Sequence, residues 1–445
     1  MLIQPREERK VLDMSRNSIV PECQAPGIRI LPSGLTGALI RVVRKVVLSQ
    51  LAKIERGRIT LIEGSERFEF GGGDELWSTI VVCDPTFYAD VAFGGSIGAA
   101  EAYMSGFWSS DDLTALIRII IMNSKTLLEM EGGLAKITAP LHRLLHTWRK
   151  NTKDGSRRNI TAHYDLGNDF YKLWLDETMT YSCNIFERVD ASLSEAAIAK
   201  YDRICRKLQL GPRDHVIEIG TGWGGFAIHA AKTYGCRITT TTISRQQYDW
   251  AKARVTEQGL SGRVELLFED YRDLKGKFDK LVSIEMIEAV GHHFLDDYFK
   301  TCSELLKNDG AMALQAITMT DQVYEAHLRS PDFIKRYIFP GSFVPSINAI
   351  IRAVAKATDM KLFHLEDITA HYVLTLRTWR ERFFANIDEV RNLGYNESFI
   401  RMWEYYLRYC EAGFAERYIG DAQMIFTKPG CRMESILPQL GPCEH

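Results

Sequence analysis

The strongest chemical signal in the chain is a glycine-rich turn between a predicted strand and a predicted helix. The strand HVIEIG ends at Gly220, and Gly222 and Gly225 complete the spacing G-x-G-x-x-G before the helix FAIHAAKTY. Glycines at this spacing let backbone N–H groups approach a nucleotide closely, which a Cβ atom would prevent. The same turn could also serve only as a tight strand–helix connection, and this alternative stays open.

The residues around the turn distinguish two kinds of nucleotide site. A dinucleotide site needs an acid about 20 residues further on to hold the ribose hydroxyl, but the window from Thr239 to Ser244 contains none. Glu218 instead lies two residues before Gly220, where it suits a ligand with a cationic or amino-bearing end. Gly220, Gly222 and Gly224 also have the tighter spacing G-x-G-x-G of nucleoside-binding methyltransferases. The pattern therefore argues against a dehydrogenase.

Alternating strands and helices must position this turn. Five strand-like runs alternate with helix-like runs between residues 216 and 320, beginning with HVIEIG and ending with AMALQAIT. This alternation is typical of an α/β fold, with a parallel sheet and helices on both faces. Three strand-like runs nearer the N-terminus, RITLIEG, RFEFGGG and WSTIVVCD, predict a smaller α+β domain.

The predicted organisation has a small domain in front of a large one. We expect a loose leader at 1–35, the α+β domain at 36–141, a basic linker at 142–159, the large domain at 160–432 and a tail at 433–445. Two stretches, 41–53 and 142–158, are rich in Lys and Arg. They are interpreted either as a core-packing helix and a solvated linker, or as basic surfaces that meet anionic lipid.

Composition limits the class of protein. The 445 residues contain 46% apolar and 25% charged residues, and the net charge is -2, which argues against a strongly basic nucleic-acid binder. Nine cysteines are scattered without a C-x-x-C pair, so neither a disulfide framework nor a metal site is predicted. No apolar run approaches the roughly 20 residues that span a bilayer. With charges near its N-terminus in place of a secretory signal, the chain is expected to be cytoplasmic.

Seven ordered motifs resemble the cyclopropane fatty acid synthase family. They are HYDLGNDFYKLWLD (163–176), MTYSC (179–183), EIGTGWGG (218–225), TISRQQ (242–247), SIEMIEAVG (283–291), RYIFPGSFVPS (336–346) and HYVLTLRTWRERF (371–383). The resemblance extends from about residue 40 to 432. It implies a class I methyltransferase-like (Rossmann-like) sheet. The implied reaction transfers a methylene group from S-adenosylmethionine to the cis double bond of an unsaturated phospholipid acyl chain, which becomes a cyclopropane.

The resemblance also implies which residues contact S-adenosylmethionine. Residues before the first sheet strand, the glycine turn and the loops after the next two strands would contribute. These residues are Tyr181, Ser182, Glu218, Gly220, Gly222, Gly224, Thr242, Ile243, Ser244, Gln247, Asp270 and Tyr271.

For the reaction itself, the family is known to use a bound bicarbonate as base. By resemblance its ligands would be the side chains of Glu288 and Tyr372 and the backbone N–H groups of Cys183 and Ile317. Gln315 stands where the enterobacterial and mycobacterial branches have a histidine, whereas the plant branch resembles this chain here. A glutamine can hydrogen-bond to bicarbonate but cannot carry a proton as an imidazolium does.

Two alternatives to the cyclopropane-forming enzyme stay open. One is a methyltransferase that leaves a methyl or methylene branch on the acyl chain, and the other is a lipid-binding protein with a relic cofactor pocket. The expected partners are unsaturated phospholipid acyl chains, the membrane surface in peripheral contact and a second copy in a homodimer, with no nucleic acid.

Overall fold

The computed structural model of the protein describes residues 35–73, 75–124 and 166–436. The predicted leader up to residue 34, the basic linker at 142–159 and the tail from residue 437 lie outside the described residues. The chain forms two compact units. The first comprises Met1–Gly155 with Asn396–Ala412, and the second comprises Ser156–Tyr395 with Gly413–His445.

The first unit contains a four-stranded sheet and helices. Its helices are Leu35–Leu51 (α1), Thr86–Met104 (α2) and Leu113–Met122 (α3), and its strands are Gly57–Glu63 (β1), Glu66–Gly72 (β2), Trp77–Val82 (β3) and Trp108–Ser110 (β4). The strand order is β2-β1-β3-β4, in which only β1 and β3 run parallel. The three strands predicted here are present, and the short β4 was not predicted.

Helix α1 has an apolar face and a basic face. Val43, Val47 and Leu51 recur every four residues and are buried, as expected for one face of a helix. Arg41 and Lys45 on the remaining surface are exposed. The core-packing interpretation of this segment therefore accounts for its valines, while its exposed cations leave a basic surface.

The second unit is built on a seven-stranded sheet. Its strands are His215–Ile219 (β5), Arg237–Thr241 (β6), Val264–Leu267 (β7), Phe278–Ile284 (β8), Leu306–Met319 (β9), Lys361–Asp367 (β10) and Ile419–Thr427 (β11). The order is β10-β11-β9-β8-β5-β6-β7, with every neighbouring pair parallel except those that include β11. The predicted α/β class with a parallel-rich sheet is confirmed.

Helices connect and flank these strands. They are Asn168–Lys172 (α4), Leu193–Lys207 (α5), Gly225–Tyr234 (α6), Arg245–Glu257 (α7), Leu295–Leu305 (α8), Asp321–Arg329 (α9), Ile347–Ala357 (α10), Thr369–Ala385 (α11), Ile387–Asn392 (α12) and Glu397–Ala415 (α13). The turns that follow β5, β6, β7 and β8 all lie at the carboxyl edge of the sheet, which is where open α/β sheets bind ligands.

Helix α13 departs from the predicted organisation. The sequence placed it in the large domain, but its residues up to Ala412 belong to the first unit. There the hydroxyl of Tyr103 donates to Glu404 over 2.8 Å, and the guanidinium of Arg401 lies 4.2 Å from the Tyr103 ring centre. A segment distant in sequence thus completes the packing of the first unit.

Further expectations concern membrane spans, metals and thiols. Within the described residues no helix is long and apolar enough to cross a membrane, and no group of His, Cys, Asp and Glu side chains is arranged to hold a metal ion. Cys83 is disulfide-bonded, which the scattered cysteines did not predict. The free thiols of the described part are those of Cys183, Cys205, Cys236, Cys302, Cys410 and Cys431.

Candidate active site

The glycine turn joins β5 to α6 and contains three residues with positive φ, namely Gly220 (100°), Gly222 (51°) and Gly224 (86°). A Cβ atom built on Gly222 would meet no protein atom within 4 Å, so the turn faces open space there. A Cβ atom on Gly225 would instead lie 2.5 Å from the hydroxyl of Tyr201. Gly225 is therefore needed for helix packing, whereas Gly222 leaves room for a ligand.

Glu218 lies beneath this turn, near the end of β5. Only 2% of its surface is exposed, and its Oε2 accepts a hydrogen bond from the hydroxyl of Thr240 over 2.6 Å. Burial raises the pKa of Glu218 to about 8, because the charged form loses its hydration. At neutral pH this side chain is a neutral hydrogen-bonding group that supports the turn.

The loop after β6 holds the next group of predicted cofactor residues. The hydroxyl of Thr242 donates to Oε1 of Gln247 over 3.0 Å, and Ser244 caps the N-terminus of α7. Ile243 is 73% exposed. The structure thus brings this loop to the same edge of the sheet as the glycine turn.

Asp270 and Tyr271 follow β7 at this same edge. The Asp270 carboxylate accepts hydrogen bonds from the guanidinium of Arg272 at 2.8 and 2.7 Å, which lowers its pKa. The ring of Tyr271 is half-buried and packs on Tyr298 with ring centres 5.5 Å apart. Arg272 therefore already engages the Asp270 carboxylate, which the resemblance assigns to contact with S-adenosylmethionine.

Aromatic rings form a cluster beside the glycine turn. The ring of Tyr181 lies 5.3 Å from Trp174, 5.4 Å from Trp379 and 5.5 Å from Tyr171. Trp223, within the turn itself, packs on Tyr171 at 5.0 Å. Aromatic faces attract cations, so the cluster provides a favourable surface for a positively charged sulfonium group.

The centre of the site is the carboxylate of Glu285, the first residue after β8. Its Oε1 accepts hydrogen bonds from the backbone N–H of Cys183 at 2.7 Å and from the side-chain amide of Gln315 at 2.8 Å. Its Oε2 accepts one from the hydroxyl of Tyr372 at 2.8 Å. Three donors from three separate elements therefore converge on one carboxylate.

The backbone at Glu285 is unusual, because its φ is 47°. For a residue with a Cβ atom this left-handed conformation costs about 1–2 kcal/mol. The Glu285 N–H donates to the carbonyl oxygen of Gln315 over 2.8 Å, and this bond fixes the conformation. Strain of this kind is concentrated at functional sites.

The acid cluster and the glycine turn are neighbours. A Cβ atom on Gly220 would lie 3.1 Å from Cγ of Met286, the residue that follows Glu285. A ligand bound at the turn would therefore have the Glu285 carboxylate close to one end.

Glu288, three residues further on, is a second acid of the site, and its carboxyl group is buried. Its Oε1 accepts a hydrogen bond from the N–H of Ile317 over 2.6 Å, while its Oε2 is buried without a partner among the described residues. Burial and the nearby charge of Glu285 raise the pKa of Glu288 to about 8. Glu288 is therefore mainly protonated at neutral pH.

Two further titratable groups surround Glu285, and the sequence did not single out either. Asp421 on β11 pairs in register with Ile317, and burial together with the charge of Glu285 raises its pKa well above the ordinary range. Lys200 on α5 is fully buried and donates to the hydroxyl of Ser182 over 2.6 Å. Burial lowers the pKa of Lys200 to about 8, although the charge of Glu285 opposes this shift.

Cys183 contributes its backbone to the site. Its thiol is fully buried, and desolvation raises the pKa of that thiol well above the ordinary value. The Sγ atom contacts the carbonyl oxygen of Asn184 at 3.4 Å. A neutral buried thiol is a poor nucleophile, so the N–H group is the chemically relevant part of this residue.

The predicted bicarbonate ligands do gather here, but they are already engaged. The donors of Cys183 and Tyr372 serve Glu285, and the N–H of Ile317 serves Glu288. A bicarbonate would need the same donors and would lie against a carboxylate of like charge. The residues present at this site therefore do not fit a bound bicarbonate.

The sequence reasoning missed Glu285 although a signal was present. Glu285 lies in the motif SIEMIEAVG, directly after a predicted strand and thus at the ligand-binding edge of the sheet. Lys200 and Asp421 had no such local signal, because only the fold brings α5 and β11 to this edge.

Comparison with known proteins agrees with this geometry. Residues 151–424 match the family model described as mycolic acid cyclopropane synthetase. The chain is 35% identical to the tuberculostearic acid methyltransferase UfaA1 of Mycobacterium tuberculosis over 413 residues, covering 91% of this chain and 95% of the relative. It is 36% identical to the cyclopropane-fatty-acyl-phospholipid synthase of Escherichia coli over 351 residues, covering 78% and 87% of the two chains.

A solved structure is also similar. The mycolic acid cyclopropane synthase CmaA1, complexed with SAH and CTAB, superimposes with a TM-score of 0.56 at 32% sequence identity. The match covers 61% of this chain and 97% of that protein.

Proposed function

The chain belongs to the mycolic acid cyclopropane synthetase family and is an S-adenosylmethionine-dependent methyltransferase acting on lipid, and on this premise we propose that it forms cyclopropanes on unsaturated phospholipid acyl chains. The observation that carries the proposal is the hydrogen-bonded carboxylate of Glu285 next to the glycine turn. The turn would bind the methyl donor, and a carboxylate beside it is suited to remove a proton.

The reaction requires positioning more than strong acid–base chemistry. An alkene is a weak nucleophile, so the sulfonium methyl and the double bond must be held in line in a dry site. The burial of Cys183, of Gln315 and of the Oε2 atom of Glu288 supports such a site. The aromatic cluster around Tyr181 would favour the cationic methyl donor.

The choice between a ring and a branch depends on which proton is lost. Removal of a proton from the new methyl group, with closure onto the cationic carbon, gives a cyclopropane. Loss of a proton without ring closure gives a branched alkene of identical mass. The full-length similarity to the tuberculostearic acid methyltransferase favours the branched product as a second candidate.

The test is to incubate the purified protein with S-adenosylmethionine and vesicles of phospholipid with cis-monounsaturated chains. Vesicles of saturated phospholipid are the control. We expect S-adenosylhomocysteine to form only with the unsaturated lipid, and the product to show high-field ring-proton NMR signals and resistance to mild hydrogenation. An olefinic product would identify the branch-forming alternative, and absence of transfer to any cis-unsaturated lipid would contradict the proposal.

A cytoplasmic location with peripheral membrane contact is part of the proposal. The exposed Arg41 and Lys45 of α1 support it, because each cation near anionic lipid contributes on the order of 1 kcal/mol. The second basic stretch, 142–158, lies outside the described residues, and the homodimer stays a prediction.

A further inference from the structure

The chain carries its own carboxylate at the position where the family resemblance leads one to expect a bound anion. We propose that Glu285 is the base that removes the proton from the new methyl group, in place of bicarbonate. This inference rests on the proposed methyl transfer and adds the identity of the base.

The hydrogen bonds directly support Glu285 as the base in place of bicarbonate. The N–H of Cys183 and the hydroxyl of Tyr372, both expected to bind bicarbonate, instead donate to the two carboxylate oxygens of Glu285 at 2.7 and 2.8 Å. Gln315 adds a third bond at 2.8 Å. Bicarbonate and a carboxylate both present two oxygens in a plane, so one set of donors can serve either but not both at once.

Backbone conformation provides independent support. Glu285 keeps a φ of 47°, which a glycine would adopt without strain. The Glu285 side chain is thus held among its three hydrogen-bond donors at a conformational cost, as expected when its position serves a function.

The proposed step is balanced in atoms and electrons. The alkene electron pair forms a bond to the sulfonium methyl carbon, the C–S bond breaks, and its electron pair remains on sulfur. The Glu285 carboxylate then takes a proton from the new methyl group. The electron pair of that C–H bond closes the ring onto the cationic carbon, and Glu285 is left as a carboxylic acid.

Two buried titratable groups, Asp421 and Lys200, lie around the Glu285 carboxylate. Asp421 lies beside Glu285, and both of its carboxyl oxygens are buried. The raised pKa of Asp421 keeps it protonated, and the buried cation of Lys200 balances the charge that remains on Glu285. The arrangement thus gives Glu285 a buried ammonium group and a neighbouring carboxyl group that can take part in later proton exchange.

The first experiment measures methyl transfer with and without bicarbonate. We expect the rate of the wild-type protein in carbon-dioxide-free buffer to change by less than about twofold when bicarbonate is added. Glu285→Gln should lower the turnover rate by about 10²-fold or more, the usual scale for a positioned base. Binding of S-adenosylmethionine, measured by titration calorimetry, should persist in this variant.

The second experiment removes the Glu285 side chain, so that its three hydrogen-bond donors can bind another anion. Glu285→Gly removes the carboxylate and suits the positive φ, so the variant should fold, and added bicarbonate should restore its activity at least about tenfold, as for a replaced base. NMR with ¹³C-bicarbonate should detect binding to Glu285→Gly and not to the wild type. Gln209→Gly is the matched control. Gln209 also has a positive φ, 54°, but it is exposed and lies far from Glu285 in the sequence.

The outcomes separate this inference from the proposed function. Bicarbonate binding to the wild-type protein, or a Glu285→Gln variant that retains its rate, would overturn the assignment of the base. Failure of the wild-type protein to modify any unsaturated lipid would overturn the proposed function, while the ¹³C-bicarbonate binding comparison would still decide whether Glu285 occupies the anion position.

Discussion

The ammonium group of Lys207 donates a hydrogen bond to Oε1 of Gln423 over 2.8 Å. A lysine can only donate, so the Gln423 amide nitrogen must point the other way, where it donates to Oε1 of Gln315 over 3.0 Å. The Gln315 nitrogen is then left to face Glu285. One buried cation thereby fixes the orientation of two amides and supplies a donor to the proposed base.

This chain of hydrogen bonds predicts that Lys207→Met impairs catalysis beyond its effect on folding. Without the lysine, Gln423 and Gln315 can rotate by 180°, and a carbonyl oxygen would then face Glu285. We expect turnover to fall about tenfold, the equivalent of about 1.4 kcal/mol in the activation barrier. Arg203→Met is the control, because Arg203 shares the partner Glu366 with Lys207 but does not contact the amides. Both variants should lower the melting temperature; equal turnover in the two would argue against the orienting role.

The open space at Gly222 predicts a binding defect on substitution. Gly222→Val places a side chain where no protein atom lies within 4 Å and should abolish S-adenosylmethionine binding in titration calorimetry. Gly259→Val is matched to it, since Gly259 also has a positive φ, 68°, and open space around its Cβ direction. Both should lose stability on the order of 1–2 kcal/mol, but only the first should lose the ligand. Retained affinity in Gly222→Val would refute the assignment of the turn.

The raised pKa of Glu218 predicts how stability changes with pH. Its folded-state pKa of about 8 lies above the ordinary value of 4.5, because burial outweighs the hydrogen bond from Thr240 and the charge of Lys200. The contribution of Glu218 to stability is therefore fully present below pH 4.5 and is lost as the pH rises through about 8. Between pH 5 and pH 8.5, the free energy of unfolding of Glu218→Gln should rise relative to that of the wild type by an amount on the order of 4 kcal/mol.

Urea unfolding at the two pH values measures this effect. Glu195→Gln is the control, because the pKa of Glu195 is lowered to about 2 by its hydrogen bonds to Ser192. Glu195 is therefore ionised in both the folded and the unfolded protein across this range, and its substitution should not change the pH dependence. A Glu218→Gln variant with the wild-type pH profile would show that this carboxyl group titrates normally.

The exposed cations of α1 predict salt-sensitive membrane binding. Replacing Arg41 and Lys45 with glutamate should weaken sedimentation with anionic vesicles at about 0.1 M salt and have little effect at about 0.5 M, where screening is strong. Replacing Lys275 and Lys300, which are exposed in the second unit, changes the net charge equally and serves as the control. Equal loss in both double variants would indicate a general charge effect.

Much of the fold was predictable because its signals are local. The strands β5 to β9 are short apolar runs separated by helical periodicity, and the glycine spacing after β5 predicts a nucleotide turn from neighbouring residues alone. The predicted reaction-site residues Cys183, Glu288, Gln315 and Tyr372 also gather in one site, and Cys183, Glu288 and Tyr372 belong to motifs that the sequence shows directly.

The hydrogen bonds between these residues and their protonation states depend on the tertiary structure. The donors of Cys183 and Tyr372 lie 102 and 87 positions from Glu285, and no sequence pattern relates their distances to one carboxylate. The protonation of Glu288 and Asp421 depends on burial and on the charge beside them, which arise when α5, β8, β9 and β11 pack together. Sequence thus determined the fold class and the cofactor turn through local patterns. Contacts between distant elements decide which group accepts the hydrogen bonds of Cys183, Gln315 and Tyr372, since hydrogen bonding and desolvation act over a few ångströms in space.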